Sequence, residues 1–62
     1  MNVYECIYNW KGEVHTLFTS ARSKVQAKGN TMRRLADQLG VNLGILRKEF
    51  DGQKDNWKVV EK

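Results

Sequence analysis

Cys6 and His15 are the single thiol and the single imidazole of this 62-residue chain, so a thiol–imidazole nucleophile or a Cys/His zinc site must start from them. If the chain forms a hairpin turning at Lys11-Gly12, they fall one cross-strand pair apart on the same face, a spacing from which a Cys-His nucleophile can be imagined. A free cysteine in a small domain usually behaves as a compact apolar group, and so short a chain has no room for an enclosed pocket beside it. One cysteine and one histidine cannot complete a four-ligand zinc site, and one cysteine excludes an internal disulfide. Glu5 and Glu13 read as solvated strand carboxylates, and there is no glycine-rich phosphate loop. The expectation is a non-enzymatic chain without metal, cofactor or small-molecule substrate.

Binding chemistry is better represented. Tyr4, Tyr8, Trp10 and His15 would stack unpaired bases if exposed, each stack contributing about 1–3 kcal/mol. The same rings are also what the core of a small domain is made of, and Trp10, beside the turn, is the one placed to stay partly open. Net charge is +4 with a pI near 9.5. From Arg22 to Lys48 there are seven cations against Asp37 alone, a balance of +6 that leaves −2 for the rest of the chain. A basic middle of this kind is the footprint of a nucleic-acid-binding surface, and equally of an ordinary solvated helix. The residues it nominates are Arg22, Lys24, Lys28, Arg33, Arg34, Asn42, Arg47 and Lys48, with DNA as the first expected partner.

These groups need elements to hold them. Residues 2–10 and 13–19 are rich in β-branched and aromatic types, and Lys11-Gly12 between them gives a two-residue turn, so the spacing predicts a β-hairpin. In that register Trp10 faces Glu13, Tyr8 faces His15, Cys6 faces Leu17 and Tyr4 faces Thr19 on one side of the ribbon. Val3, Glu5, Ile7, Asn9, Val14, Thr16 and Phe18 occupy the other. Both sides carry apolar groups, so one should meet a helix and the other a further strand, a second subunit or a ligand. This gives an alternative function, a protein-binding surface built on Ile7, Trp10, Val14 and Phe18 whose partner is a host protein or a second copy of the chain.

Ser23 and Gln26 have the spacing of a capping box, which predicts a helix from Lys24. Val25, Gly29, Met32, Ala36 and Leu39, with Leu35 beside them, form the stripe expected to face the hairpin, and Gly40 stops the helix. Glycine in a helix interior is costly, so Gly29 implies either the close approach of a bulky ring or a break at Gly29-Asn30. Residues 43–50 fit a short helix through Leu43, Leu46 and Phe50, or a strand through Leu43, Ile45, Arg47 and Glu49. Asp51-Gly52 turns the chain, residues 53–56 form a polar loop, and residues 57–60 read as a last short strand that pairs with the hairpin. With no proline, repeat or low-complexity segment, the whole of 1–62 reads as one α+β domain: an N-terminal antiparallel hairpin packed on one main helix, a short second helix or strand, and a C-terminal strand.

The run Leu35-Ala36-Asp37-Gln38-Leu39-Gly40-Val41-Asn42, followed by Ile45-Leu46-Arg47-Lys48, resembles a helix-turn-helix across residues 33–50. The resemblance implies a recognition helix over 42–50 that brings Asn42, Leu43, Arg47 and Lys48 to the groove, with Arg33 and Arg34 near the backbone. Gly44, inside that helix, departs from the pattern. A hairpin leading through Ala21-Arg22-Ser23 into a capped basic helix is similar, over residues 1–39, to small uncharacterised bacteriophage proteins, which implies binding to nucleic acid or to a host protein. No apolar run approaches the ~18–20 residues of a membrane span, and a lone thiol without a leader-like N-terminus points to the cytoplasm.

Overall fold

The structure, a computed structural model, describes residues 1–52 and 54–62; Gln53 of the expected polar loop lies outside them. β1 (Asn2–Trp10) and β2 (Glu13–Ala21) form the hairpin in the register read from the sequence, from Trp10 opposite Glu13 to Tyr4 opposite Thr19. Lys11 and Gly12 both have positive φ, 52° and 84°, which gives the turn a twist matching that of the strands. The Asn9 side chain accepts the Gly12 N–H at 3.0 Å and fixes the bend. β2 runs two residues beyond the expected end at Thr19, and Ala21 is fully buried. β3 (Trp57–Glu61) pairs antiparallel with β1, so the sheet order is β2-β1-β3 and β1 is central.

α1 (Lys24–Leu39) starts where the cap predicts, with the Ser23 hydroxyl accepting the Gln26 N–H at 3.2 Å. The return bond differs from a regular capping box: the Gln26 carboxamide accepts from the Arg22 N–H at 2.7 Å, one residue earlier. Gly40 ends the helix with φ 68°, and Val41 N–H closes onto the Ala36 carbonyl at 3.1 Å, which satisfies carbonyls the helix would otherwise leave open.

The buried face of α1 matches the predicted stripe in part: Met32, Leu35 and Ala36 are buried and Leu39 is half-buried against the core, but Val25 is not among them. It follows Ala27, Thr31 and Leu35, flanked by Met32 and Ala36, whereas Val25 is 83 % exposed. The pattern misled because a threonine occupies the centre of the core side, and its hydroxyl is satisfied by hydrogen bonds rather than excluded. The helix is unbroken at Gly29-Asn30, and no ring approaches Gly29: a Cβ built there meets nothing within 4 Å. Gly29→Ala should therefore raise stability by about 0.5–1 kcal/mol through helix propensity alone, an increase read in the denaturant midpoint. A loss of stability would mean that something packs on that position after all.

Residues 43–50 resolve as helix. α2 (Leu43–Glu49) is joined to α1 by three residues, 40–42, and its N-terminus is capped by Asn42, whose side chain accepts the Gly44 N–H at 2.7 Å. A Cβ on Gly44 would lie 2.9 Å from that same oxygen, so glycine serves the cap here and is more than a weak point in a short helix. Leu46 and Phe50 are fully buried and close the core against Tyr8 and Trp10, with ring centroids of Phe50 at 4.9 and 6.3 Å from theirs. Both helices pack on one face of the sheet, over Tyr4, Cys6, Tyr8, Leu17 and Val59. No helix among the described residues is long and apolar enough to cross a membrane.

Candidate functional site

The Tyr4 and Tyr8 rings considered as a base-stacking platform are core: both are buried, and Tyr8 is sealed completely. The Tyr8 hydroxyl and Thr31 Oγ1 share a hydrogen bond at 2.7 Å, and the Ala27 and Lys28 carbonyls accept from this pair, a short chain that ties β1 to α1. Burial pushes the Tyr8 phenol up to about 12, offset in part by the Thr31 bond. Trp10 is half-buried against Phe50, with the Lys11 ammonium 5.1 Å from its ring centroid. Cys6 and His15 do not form a reactive pair. The thiol is buried and directed at the Ala27 carbonyl 3.8 Å away, whereas His15 Nε2 lies 3.0 Å from the Glu13 carboxylate. No group of three His, Cys, Asp or Glu among the described residues is placed to hold a metal ion.

Among the described residues, no helix lies on the opposite face of the sheet. Val14 is 62 % and Phe18 52 % exposed, Val3 is exposed as well, and Ile7 and Val60 are half-buried between them. This brings together Ile7, Val14 and Phe18 of the expected protein interface. Trp10 belongs to the other side, where it packs on Phe50. Polar groups frame the face: Lys62 and Glu5 form an ion pair at 3.2 Å across it, and a shallow hollow of about 260 Å³ lies between Ile7, Val14 and the 55–58 segment.

The nominated cations lie in the segment that forms the helices and its approach from β2. Residues 22–50 hold seven of them against Asp37 and Glu49, a balance of +5, and leave −1 for the remainder of a chain whose total is +4. Arg22, Lys24, Arg33, Arg47 and Lys48 are exposed, and the ion pairs Glu13–His15, Glu49–Lys54 and Glu5–Lys62 use none of them. Two are engaged locally, on opposite flanks of α1. The Arg34 guanidinium donates to the Phe18 carbonyl at the β2 side, and the Lys28 ammonium sits 3.6 Å from the Trp57 ring centroid at the β3 side. Asn42 is also occupied, since its oxygen caps α2.

Lys28 marks a feature that sequence reasoning did not find. Between the first half of α1 and β3 runs a groove of about 560 Å³, with Lys24, Val25 and Lys28 on one wall and Trp57, Lys58 and Val59 on the other. Burial lowers the Lys28 ammonium from its usual range, and the nearby Asp51 carboxylate partly offsets this. The sequence signal available was the isolated Val25 in a polar first turn, which was assigned to the core. With a three-stranded sheet carrying two helices on one face, the fold is α+β. Comparison with protein-family models, curated proteins and solved structures finds no match to this chain.

Proposed function

We propose that the domain is a non-enzymatic nucleic-acid-binding module, with DNA as its first expected partner, that holds phosphates through the cations of its helical layer. The observation that carries this reading is the separation of charge by layer, +5 over residues 22–50 against −1 elsewhere. Arg22, Lys24, Arg33, Arg47 and Lys48 supply the exposed contacts, and Arg34 contributes from the β2 flank. A cytoplasmic location suits such a partner and suits the reduced Cys6 thiol. Binding of this kind releases counterions, so affinity falls with salt, at a slope of about −0.9 for each phosphate neutralised on duplex DNA. Mobility shifts on duplex and single-stranded DNA at two salt concentrations test it. Replacing both Arg33 and Lys48 with alanine should weaken binding and flatten the salt slope by about 2. Absence of any complex at low salt overturns the reading.

A second reading, a protein-binding domain, is favoured by the uncovered sheet face with Val3, Val14 and Phe18 exposed. Affinity would then depend on Ile7, Val14 and Phe18, vary little with salt, and survive removal of the helical cations. The phage-protein resemblance is compatible with either partner.

A further inference from the structure

β3 ends the sheet, and its bonds to β1 determine which of its groups are left over. Lys62 N–H donates to the Val3 carbonyl and Asn9 N–H to the Asn56 carbonyl, each at 2.8 Å. Residues 58, 60 and 62 therefore bond inward by the alternation of an antiparallel pair, and Trp57, Val59 and Glu61 turn their N–H and C=O groups to an edge with no strand of the described residues beside it. Open edges pair with another chain unless something blunts them.

We propose that this edge pairs with the same edge of a second copy, β3 against β3, antiparallel and centred on Val59, with Lys28 of each chain receiving the carboxylate of the partner's Glu61. In that register all three outward residues exchange hydrogen bonds. Trp57 lies directly opposite the partner's Glu61 on the helical face, with the Cβ atoms about 5 Å apart. The Lys28 ammonium already rests on the Trp57 ring, 3.6 Å from its centroid, so the incoming carboxylate arrives within reach of it. Two-fold symmetry makes the pair twice. Lys28 is partly desolvated and the Asp51 carboxylate of its own chain only partly offsets this, so a second carboxylate restores what burial removes.

Two further observations agree. A two-fold axis through an antiparallel strand pair stands perpendicular to the sheet, which keeps both helical layers on one side and turns the α1 flanks towards each other. Val25, the most exposed apolar residue of α1 at 83 %, lies on that flank at the lip of the groove. Lys58, a residue type that commonly guards an edge, projects from the opposite face and meets the partner's Val60, not another lysine. A domain of this size with neither disulfide nor metal site among its described residues is also of the kind that gains stability from oligomerisation. The proposal does not depend on the identity of any other ligand.

Sedimentation of the full chain over a concentration series tests it through charge exchange. The wild type should form dimers. Glu61→Lys and Lys28→Glu, each alone, set like charges against each other and should weaken association by about tenfold or more. Mixing the two variants should restore a heterodimer of near wild-type affinity, because each interface position then meets its opposite charge. Both substitutions lie outside the buried core, and recovery on mixing shows that both chains are folded. A wild type that stays monomeric up to millimolar concentration, single variants that dimerise as well as the wild type, or folded variants that fail to recover on mixing would each overturn the proposal.

Discussion

Replacing Phe50 with alanine should remove the cooperative unfolding transition of this domain at room temperature. Phe50 is fully buried at the C-terminus of α2, its N–H donates to the Leu46 carbonyl at 2.9 Å, and its ring meets those of Tyr8 and Trp10. Phenylalanine-to-alanine changes at such sites cost about 3–5 kcal/mol, from lost transfer energy and from the cavity left behind. A domain of 62 residues has roughly 3–9 kcal/mol in total, at 0.05–0.15 kcal/mol per residue. The loss is thus comparable with the whole. It is concentrated at one element as well, because a seven-residue helix has no stability of its own and α2 is held down by Leu46 and Phe50. Circular dichroism should show lost or broadened unfolding. A variant that unfolds cooperatively within about 1 kcal/mol of the wild type would show that α2 is anchored by other means.

The strands and the turn were legible in the sequence because short-range chemistry specifies them. Lys11-Gly12 accepts positive φ, and period-two alternation then fixes every cross-strand pair down to Tyr4 and Thr19. Ser23 and Gly40 likewise mark the two ends of α1 through local bonds. The face of α1 was legible at its C-terminal half, Met32, Leu35 and Ala36, but not at its N-terminal half, which is decided by a tertiary event: the Tyr8 hydroxyl reaches across to Thr31, which makes a polar residue a core residue and leaves Val25 outside. The same event explains why the groove beside β3 was missed, since Val25 and Lys28 had been given to a core and to a phosphate footprint respectively. The sequence shows the candidate cations as a basic set in and beside the helices. It could not anticipate that Lys28 and Arg34 would turn to opposite flanks, because that depends on where Trp57 and the Phe18 carbonyl lie.

The Tyr8–Thr31 contact also predicts how the domain responds to alkali. In the unfolded chain Tyr8 loses its proton near 10, whereas in the folded domain burial holds the phenol to about 12. The folded state is therefore the one that keeps the proton. Its advantage is complete below pH 10 and is lost as pH rises towards 12, since in that window the unfolded chain ionises and the folded one does not. A shift of this size corresponds to roughly 3 kcal/mol at 1.36 kcal/mol per unit, a large share of the stability of so small a domain. Denaturant midpoints should hand back most of that quantity between pH 10 and 12, with tyrosinate absorbance appearing together with unfolding. Lysines titrate in the same range, so Tyr8→Phe is the control that isolates the phenol. At neutral pH this variant should be less stable by about 1 kcal/mol, because the hydrogen bond between the hydroxyl and Thr31 is lost, while Thr31 keeps its bond to the Ala27 carbonyl. Between pH 10 and 12 its stability should fall much less steeply than that of the wild type, so that the two curves converge and then cross. Parallel curves over that range would mean that Tyr8 ionises in the folded domain as readily as in water, and that the hydroxyl is not sealed between β1 and α1.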